Sequence, residues 1–195
     1  GGHVGGEVAS HVALDAAVET PGDPSTRVQA ANLAVVDRIR EQPDLAGMGT
    51  TMTLGIFSGD GRMDIGHVGD SRAYVYRGGQ LTQVTTDHTL VAEMVASGRI
   101  EPDDVASHPY RNIITRALGL DRRVQVDTVR HQLHAGDRVL LCSDGLTSMV
   151  SDESIAAVLG RIGEPHQSAA QLIDDANAAG GVDNVSVVII DVAAE

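Results

Sequence analysis

Residues 51–79, TMTLGIFSGDGRMDIGHVGDSRAYVYRGG, decide the fold. Met52, Leu54 and Ile56 alternate with Thr51, Thr53 and Gly55, the period-two signature of a half-buried strand. Ser58-Gly59-Asp60-Gly61 is hairpin-turn chemistry, and Arg62 to Val68 is a second strand. That strand leads into Gly69-Asp70. A third, Ala73 to Arg77, reaches the Gly78-Gly79 turn, and a fourth covers Gln80 to Val84. The stretch is therefore an antiparallel meander of short strands.

On its N-terminal side the period changes to that of helices. Glu7 to Glu19 places Val8, Val12 and Ala16 on one stripe, the face expected to be buried. Asp23 followed by Pro24 starts a second helix. It runs to about Glu41 and turns Val28, Ala31, Val35 and Ile39 inward.

On the C-terminal side, Thr89 to Ser97 reads as a helix, with Asp87 placed to cap it. Gly98 to Tyr110 is polar, with Pro102 and Pro109, and reads as a surface loop or flap carrying its own short helix. Asn112 to Leu118 and Val124 to Leu133 read as strands, His134 to Asp137 as a turn, and Arg138 to Cys142 as a buried strand. Ser151 caps a helix through Leu159, and a further helix from about Ser168 to Ala179 is stopped by Gly180-Gly181. The last strand, Val185 to Val192, is apolar on both faces, which predicts a central strand covered on both sides. The order is helices, strands, helices, strand. It implies an α+β fold with layered sheet flanked by helices, in a single domain over residues 1–195.

Composition narrows the function. Net charge is −13 and all 14 basic residues are arginine; so acidic a balance argues against a general nucleic-acid binder, whose phosphate contacts need a basic surface. The absence of lysine suggests a high-GC, bacterial source. No apolar run reaches the ~18 residues of a membrane span. Cys142 is the only cysteine, so no internal disulfide or cysteine-based zinc site can form; a reducing, cytoplasmic setting is expected. At the end of an apolar run, Cys142 reads as a buried inert thiol.

Three short acidic motifs carry the chemistry: Gly69-Asp70-Ser71-Arg72, Ser143-Asp144-Gly145 and Asp183-Asn184. Each aspartate taken alone reads as a turn residue. Asp70 and Asp144 follow strand-like runs and Asp183 precedes one, so each is held at a strand end open to solvent. Carboxylates converging from distant parts of a chain make an all-oxygen site, which selects Mg²⁺ or Mn²⁺ over zinc or copper. Two such ions about 4 Å apart share a water, lower its pKa and neutralise phosphate oxygens.

At these residues the chain resembles the metal-dependent serine/threonine protein phosphatases of type 2C (the PPM family) in their compact bacterial form. The likeness runs through Gly1-Gly2-His3, Gly47-Met48-Gly49-Thr50-Thr51, His67-Val68-Gly69-Asp70-Ser71-Arg72, Thr115-Arg116-Ala117-Leu118-Gly119, Cys142-Ser143-Asp144-Gly145 and Gly181-Val182-Asp183-Asn184. The resemblance implies a central antiparallel β-sandwich flanked by helix pairs, in four α-β-β-α layers. It implies hydrolysis of phosphoserine and phosphothreonine on proteins by a water activated at a centre of two or three Mn²⁺ or Mg²⁺ ions, opposing a bacterial Ser/Thr kinase in a signalling role.

Residue by residue, Asp144 and Asp183 would hold the core ions. Asp70, with Asp144, would hold a third, and Asn184 would support the ligands from behind. Gly98 to Arg111 would be the flap beside the site, with His108 and Arg111 able to touch substrate. Arg116 is expected to be structural, and the other histidines to pack or face solvent. A monomer acting on phosphorylated protein substrates is expected. The family motif opens Asp-Gly-Met-Gly-Gly-His, of which only Gly1, Gly2 and His3 are present. The expectation is therefore an N-terminally incomplete catalytic domain. The alternative is a phosphatase-like regulatory domain that binds without catalysis.

Overall fold

The computed structural model describes residues 5–193. Gly1, Gly2 and His3, which carry the first motif, lie outside the described residues. Helices α1 (Gly6–Glu19) and α2 (Pro24–Glu41) come first, followed by strands β1 (Met52–Phe57), β2 (Arg62–Val68), β3 (Arg72–Arg77) and β4 (Gln80–Gln83). Then come α3 (Leu90–Ala96), β5 (Asp127–Gln132), β6 (Arg138–Cys142), the short α4 (Asp144–Thr147), α5 (Asp152–Arg161), α6 (Pro165–Ala178) and β7 (Val187–Asp191). The strands form two sheets, ordered β1-β2-β5 and β4-β3-β6-β7. Helices with two antiparallel sheets make the fold α+β.

The chain divides into two compact units. The first comprises the part up to Ile56 together with Ile65–Asp70 and Thr86–Thr128. Its core joins Ala9, Ala13 and Ala17 of α1 to Val28, Ala31 and Val35 of α2, with Met48, Val68 and Leu118. The buried stripe of α1 is thus displaced by one residue from the expected Val8, Val12 and Ala16, which are only half-buried. Alanines on the contact line let the two helix backbones approach, and hydropathy alone favours the larger valines beside them. Asp23 caps α2 by accepting from the Thr26 N–H at 2.8 Å. The cap of α3 is Thr89, whose hydroxyl accepts from the Ala92 N–H, and not Asp87.

Residues 112–118 do not form a strand. Their backbone makes isolated bridges, Thr50 to Leu118 and Thr89 to Ile114, instead of a continuous ladder. Residues 124–126 likewise fall outside β5: the Val124 N–H donates to the Gln29 side chain at 3.3 Å.

The second unit comprises Phe57–Asp64, Ser71–Thr85 and the part from Val129 onward. Its four-stranded sheet is antiparallel throughout, with Arg72 opposite Cys142, and Cys142 opposite Val187. Tyr74, Leu140 and Cys142 pack with Leu146, Ile155, Val158, Leu159 and Leu172. Ser151 caps α5 through the Ser154 N–H at 3.3 Å, as its position before Asp152 and Glu153 predicts.

β7 is not central. Among the described residues it lies at the sheet edge beside β6, and Val188 is 52% exposed. Val187 and Ile189 pack on the core, so period-two geometry turns Val188 the other way. Hydropathy reports that residues are apolar but not which strand becomes their neighbour. Among the described residues no helix is long and apolar enough to cross a membrane.

Candidate metal centre

At the end of β6 the chain passes through Ser143 into Asp144, the first residue of α4. Ser143 ties this point to residues 184–186. Its N–H donates to the Ser186 carbonyl at 3.0 Å, its hydroxyl donates to the Asn184 carbonyl at 3.2 Å, and its oxygen accepts from the Ser186 N–H at 2.9 Å. Gly145 completes the fit. A Cβ there would stand 2.3 Å from the Asn184 carbonyl oxygen, so any side chain would push the two segments apart. Local contacts of small residues thus bring together two aspartates far apart in sequence.

The consequence is electrostatic. Burial raises the Asp144 carboxyl above the ordinary range, and the neighbouring Asp183 carboxylate raises it further. Among the described residues neither aspartate forms an ion pair. Two like charges held side by side, one of them partly desolvated, suit an oxygen-binding divalent cation, whose charge would relieve both. Asn184 contributes through its backbone: its N–H donates to Asp183 Oδ1 at 2.7 Å while its carbonyl accepts from Ser143.

Asp70 lies in the other unit and is buried. It follows Gly69, whose φ of +114° suits glycine, and a Cβ at Gly69 would stand 2.3 Å from Thr51 Cγ2. His108 and Arg111 also belong to that unit. His108 accepts from the Tyr110 N–H at 3.2 Å through Nδ1, and its carbonyl accepts from the Arg111 N–H at 3.1 Å. Among the described residues no group of three or more His, Cys, Asp or Glu side chains is arranged to hold an ion.

Sequence reasoning left the remaining histidines to pack or face solvent, and two of them are buried in the first unit. His67 is fully buried. Its Nε2 faces the Thr86 carbonyl at 3.1 Å and its Nδ1 faces the Thr53 hydroxyl at 2.9 Å. Burial, with His88 4.8 Å away ring to ring, pushes its pKa down to about 4, so the ring is neutral. His88 is 6% exposed and reaches both Gly69 and an ion pair between Arg116 and Asp127. Burial alone would raise the Asp127 carboxyl, but hydrogen bonds from His88 and Arg116 outweigh it and hold it low. Arg116 is thus engaged by Asp127 and the Gln125 carbonyl. The available signal for His88 was the stretch Leu81-Thr82-Gln83-Val84-Thr85-Thr86-Asp87-His88, which also carries the family resemblance and which periodicity does not mark.

The sequence pattern described as protein phosphatase 2C matches residues 1–190. The chain belongs to this family. It is 44% identical over 201 residues to the serine/threonine protein phosphatase PstP of Mycobacterium tuberculosis, covering 98% of this chain and 38% of that protein. The serine/threonine phosphatase stp of Listeria monocytogenes is 36% identical over 204 residues, covering 98% of this chain and 81% of the relative. The chain thus spans well under half the length of the mycobacterial relative.

Among solved structures, that of the M. tuberculosis phosphatase PstP/Ppp superposes with a TM-score of 0.91 at 44% identity, covering 100% of this chain and 85% of the other. The catalytic domain of PstP in complex with two manganese ions gives a TM-score of 0.88 at 42% identity, covering 100% and 84%. The α+β reading and the protein phosphatase 2C resemblance both hold over essentially the whole chain.

Proposed function

We propose that the protein hydrolyses phosphoserine and phosphothreonine esters on proteins at a Mn²⁺ or Mg²⁺ centre, with residues 1–195 acting as one catalytic domain. The observation that carries the reading is the Asp144–Asp183 pair, two carboxylates held together without an ion-pair partner among the described residues. The donor set is oxygen only, which fits these cations. Support also comes from the two manganese ions in the PstP structure and from the phosphatase names of the relatives.

Asp144 and Asp183 would hold a cation, and Asp70 is proposed as a cation ligand on the strength of its motif. When bound, the ions lower the pKa of a water and neutralise phosphate oxygens. The chain's own contribution is placement. Ser143 and Gly145 fix the two aspartates before any ion arrives, so little reorganisation accompanies binding. The Asn184 N–H occupies Asp183 Oδ1 and leaves Oδ2 for a cation. His108 and Arg111, in an exposed segment, are proposed to meet the phosphoprotein. A bacterial Ser/Thr kinase as the opposing activity, a cytoplasmic signalling role and a monomeric state complete the proposal.

Isothermal calorimetry with Mn²⁺, run beside turnover of p-nitrophenyl phosphate and a phosphothreonine peptide, tests it. Heat of binding and turnover, both lost in Asp144→Asn, are expected. Absence of both heat and turnover overturns the reading. Heat without turnover favours a phosphatase-like binding domain instead.

A further inference from the structure

We propose that His88 is a positioning residue for Asp70, gripping the Gly69 backbone on both sides so that the Asp70 carboxylate is presented in one orientation. The inference rests on the proposed role of Asp70 as a cation ligand. The His88 N–H donates to the Gly69 carbonyl at 2.8 Å, and the Gly69 N–H donates to His88 Nδ1 at 2.9 Å. One residue therefore takes up both backbone polar groups of Gly69. The carbonyl it holds belongs to the peptide unit that joins Gly69 to Asp70, and glycine at φ +114° has no side chain to restrict that unit by itself.

The partners fix the ring. With Nδ1 accepting from the Gly69 N–H, the other ring nitrogen, Nε2, lies 3.1 Å from Asp127 Oδ2 and 2.9 Å from Arg116 Nη1. Arg116 Nη1 also donates to Asp127 Oδ1 at 2.7 Å and to the Gln125 carbonyl at 3.2 Å, so His88 and Arg116 hold the carboxylate together. The His88 carbonyl accepts from the Thr115 N–H at 2.8 Å. Tilted against it at 4.8 Å is the ring of His67, itself bonded at both nitrogens. Each atom that could let the imidazole rotate is engaged. This is the pattern of a carboxylate orienting a histidine that in turn orients a ligand-bearing segment.

Two substitutions separate the ends of the ring. His88→Asn keeps an acceptor near Nδ1 and gives up the reach to Asp127, whereas His88→Gln keeps a polar group near Nε2 and gives up the acceptor for Gly69. The readout is the part of the Mn²⁺ calorimetric isotherm that Asp70→Asn removes, measured on folded protein checked by circular dichroism. His88→Gln and His88→Ala are expected to weaken that part about 10–100-fold, and His88→Asn by about threefold or less. kcat for a phosphopeptide is expected to follow the same order with KM little changed.

Equal losses in Asn and Gln variants, or none in either, overturn the inference, since a role confined to packing does not distinguish the two. Should His88→Ala fail to fold, the Asn–Gln pair still decides the matter. If Asp70→Asn leaves the isotherm unchanged, it is the ligand role of Asp70 that fails, and the inference with it. If Asp70→Asn removes a part that His88→Gln leaves intact, the positioning role alone fails.

Discussion

Strands β6 and β7 run side by side, with Arg138 opposite Asp191 at one end and Cys142 opposite Val187 at the other. At the first end every charge is compensated. Arg138, 6% exposed, donates to both oxygens of Asp191 at 2.6 and 2.8 Å and to the carbonyls of Leu159, Ile162 and Gly163. Asp137, 2% exposed, accepts from Arg77 and from the His134 N–H at 2.8 Å. At the second end Asp144 stands beside Asp183, and neither has an ion-pair partner among the described residues. The same strand pair thus ends once in a closed polar network and once beside two neighbouring carboxylates. Asp137 and Asp191 are each paired with an arginine, whereas Asp144 and Asp183 have no ion-pair partner among the described residues; the second end is therefore the one proposed to take a ligand.

The sharpest way to break the comparison is at the closed end. Arg138→Ala leaves a carboxylate and several carbonyls without their donor and is expected to cost about 3–5 kcal/mol of folding stability, read by urea denaturation. A cost under about 1 kcal/mol would mean that the network is ornamental. Next in size, Asp144→Asn is expected to weaken Mn²⁺ binding by more than the ~100-fold that losing a supporting partner of a ligand costs.

Asp137→Asn is expected to cost about 1.5–3 kcal/mol, the worth of hydrogen bonds to a charged group. Its pH dependence has a definite sign. Arg77 holds the Asp137 carboxyl below its ordinary value in the folded protein. The stabilisation is therefore complete above the usual carboxylate range and is lost as pH falls through the depressed value. The penalty of Asp137→Asn should be full at pH 7 and vanish in acid. The smallest effect has the opposite sign. In chelator, Asp144→Asn removes a like-charge contact and should raise Tm by about 2–4 °C, the shift that ~1 kcal/mol gives at this size. A fall in Tm would mean that the pair is not strained without a cation.

Much of this was legible along the chain. The β6 strand, the Ser151 and Asp23 caps and the turns at Gly78-Gly79 and Gly180-Gly181 follow from local chemistry that tertiary packing had no reason to override. Asp144 and Asp183 could be singled out because their flanking glycine and serine residues form recognisable motifs. Residues 112–118 could not be told from a strand, because β-propensity describes a segment's side chains while a strand also needs a partner to bond along its length. The exposed edge position of β7 was hidden for the same reason. His88 was hidden because its partners, Gly69, Arg116 and Asp127, are 19, 28 and 39 residues away.

By itself the sequence determined which residues carry oxygen donors in recognisable motifs, where most of the helices begin and stop, and to which family the chain belongs, since each depends on side-chain identity and near neighbours. Tertiary structure alone decided which aspartates meet an arginine and which meet each other. Coulomb energy depends on distance through space, and that distance is set only when the strands have paired.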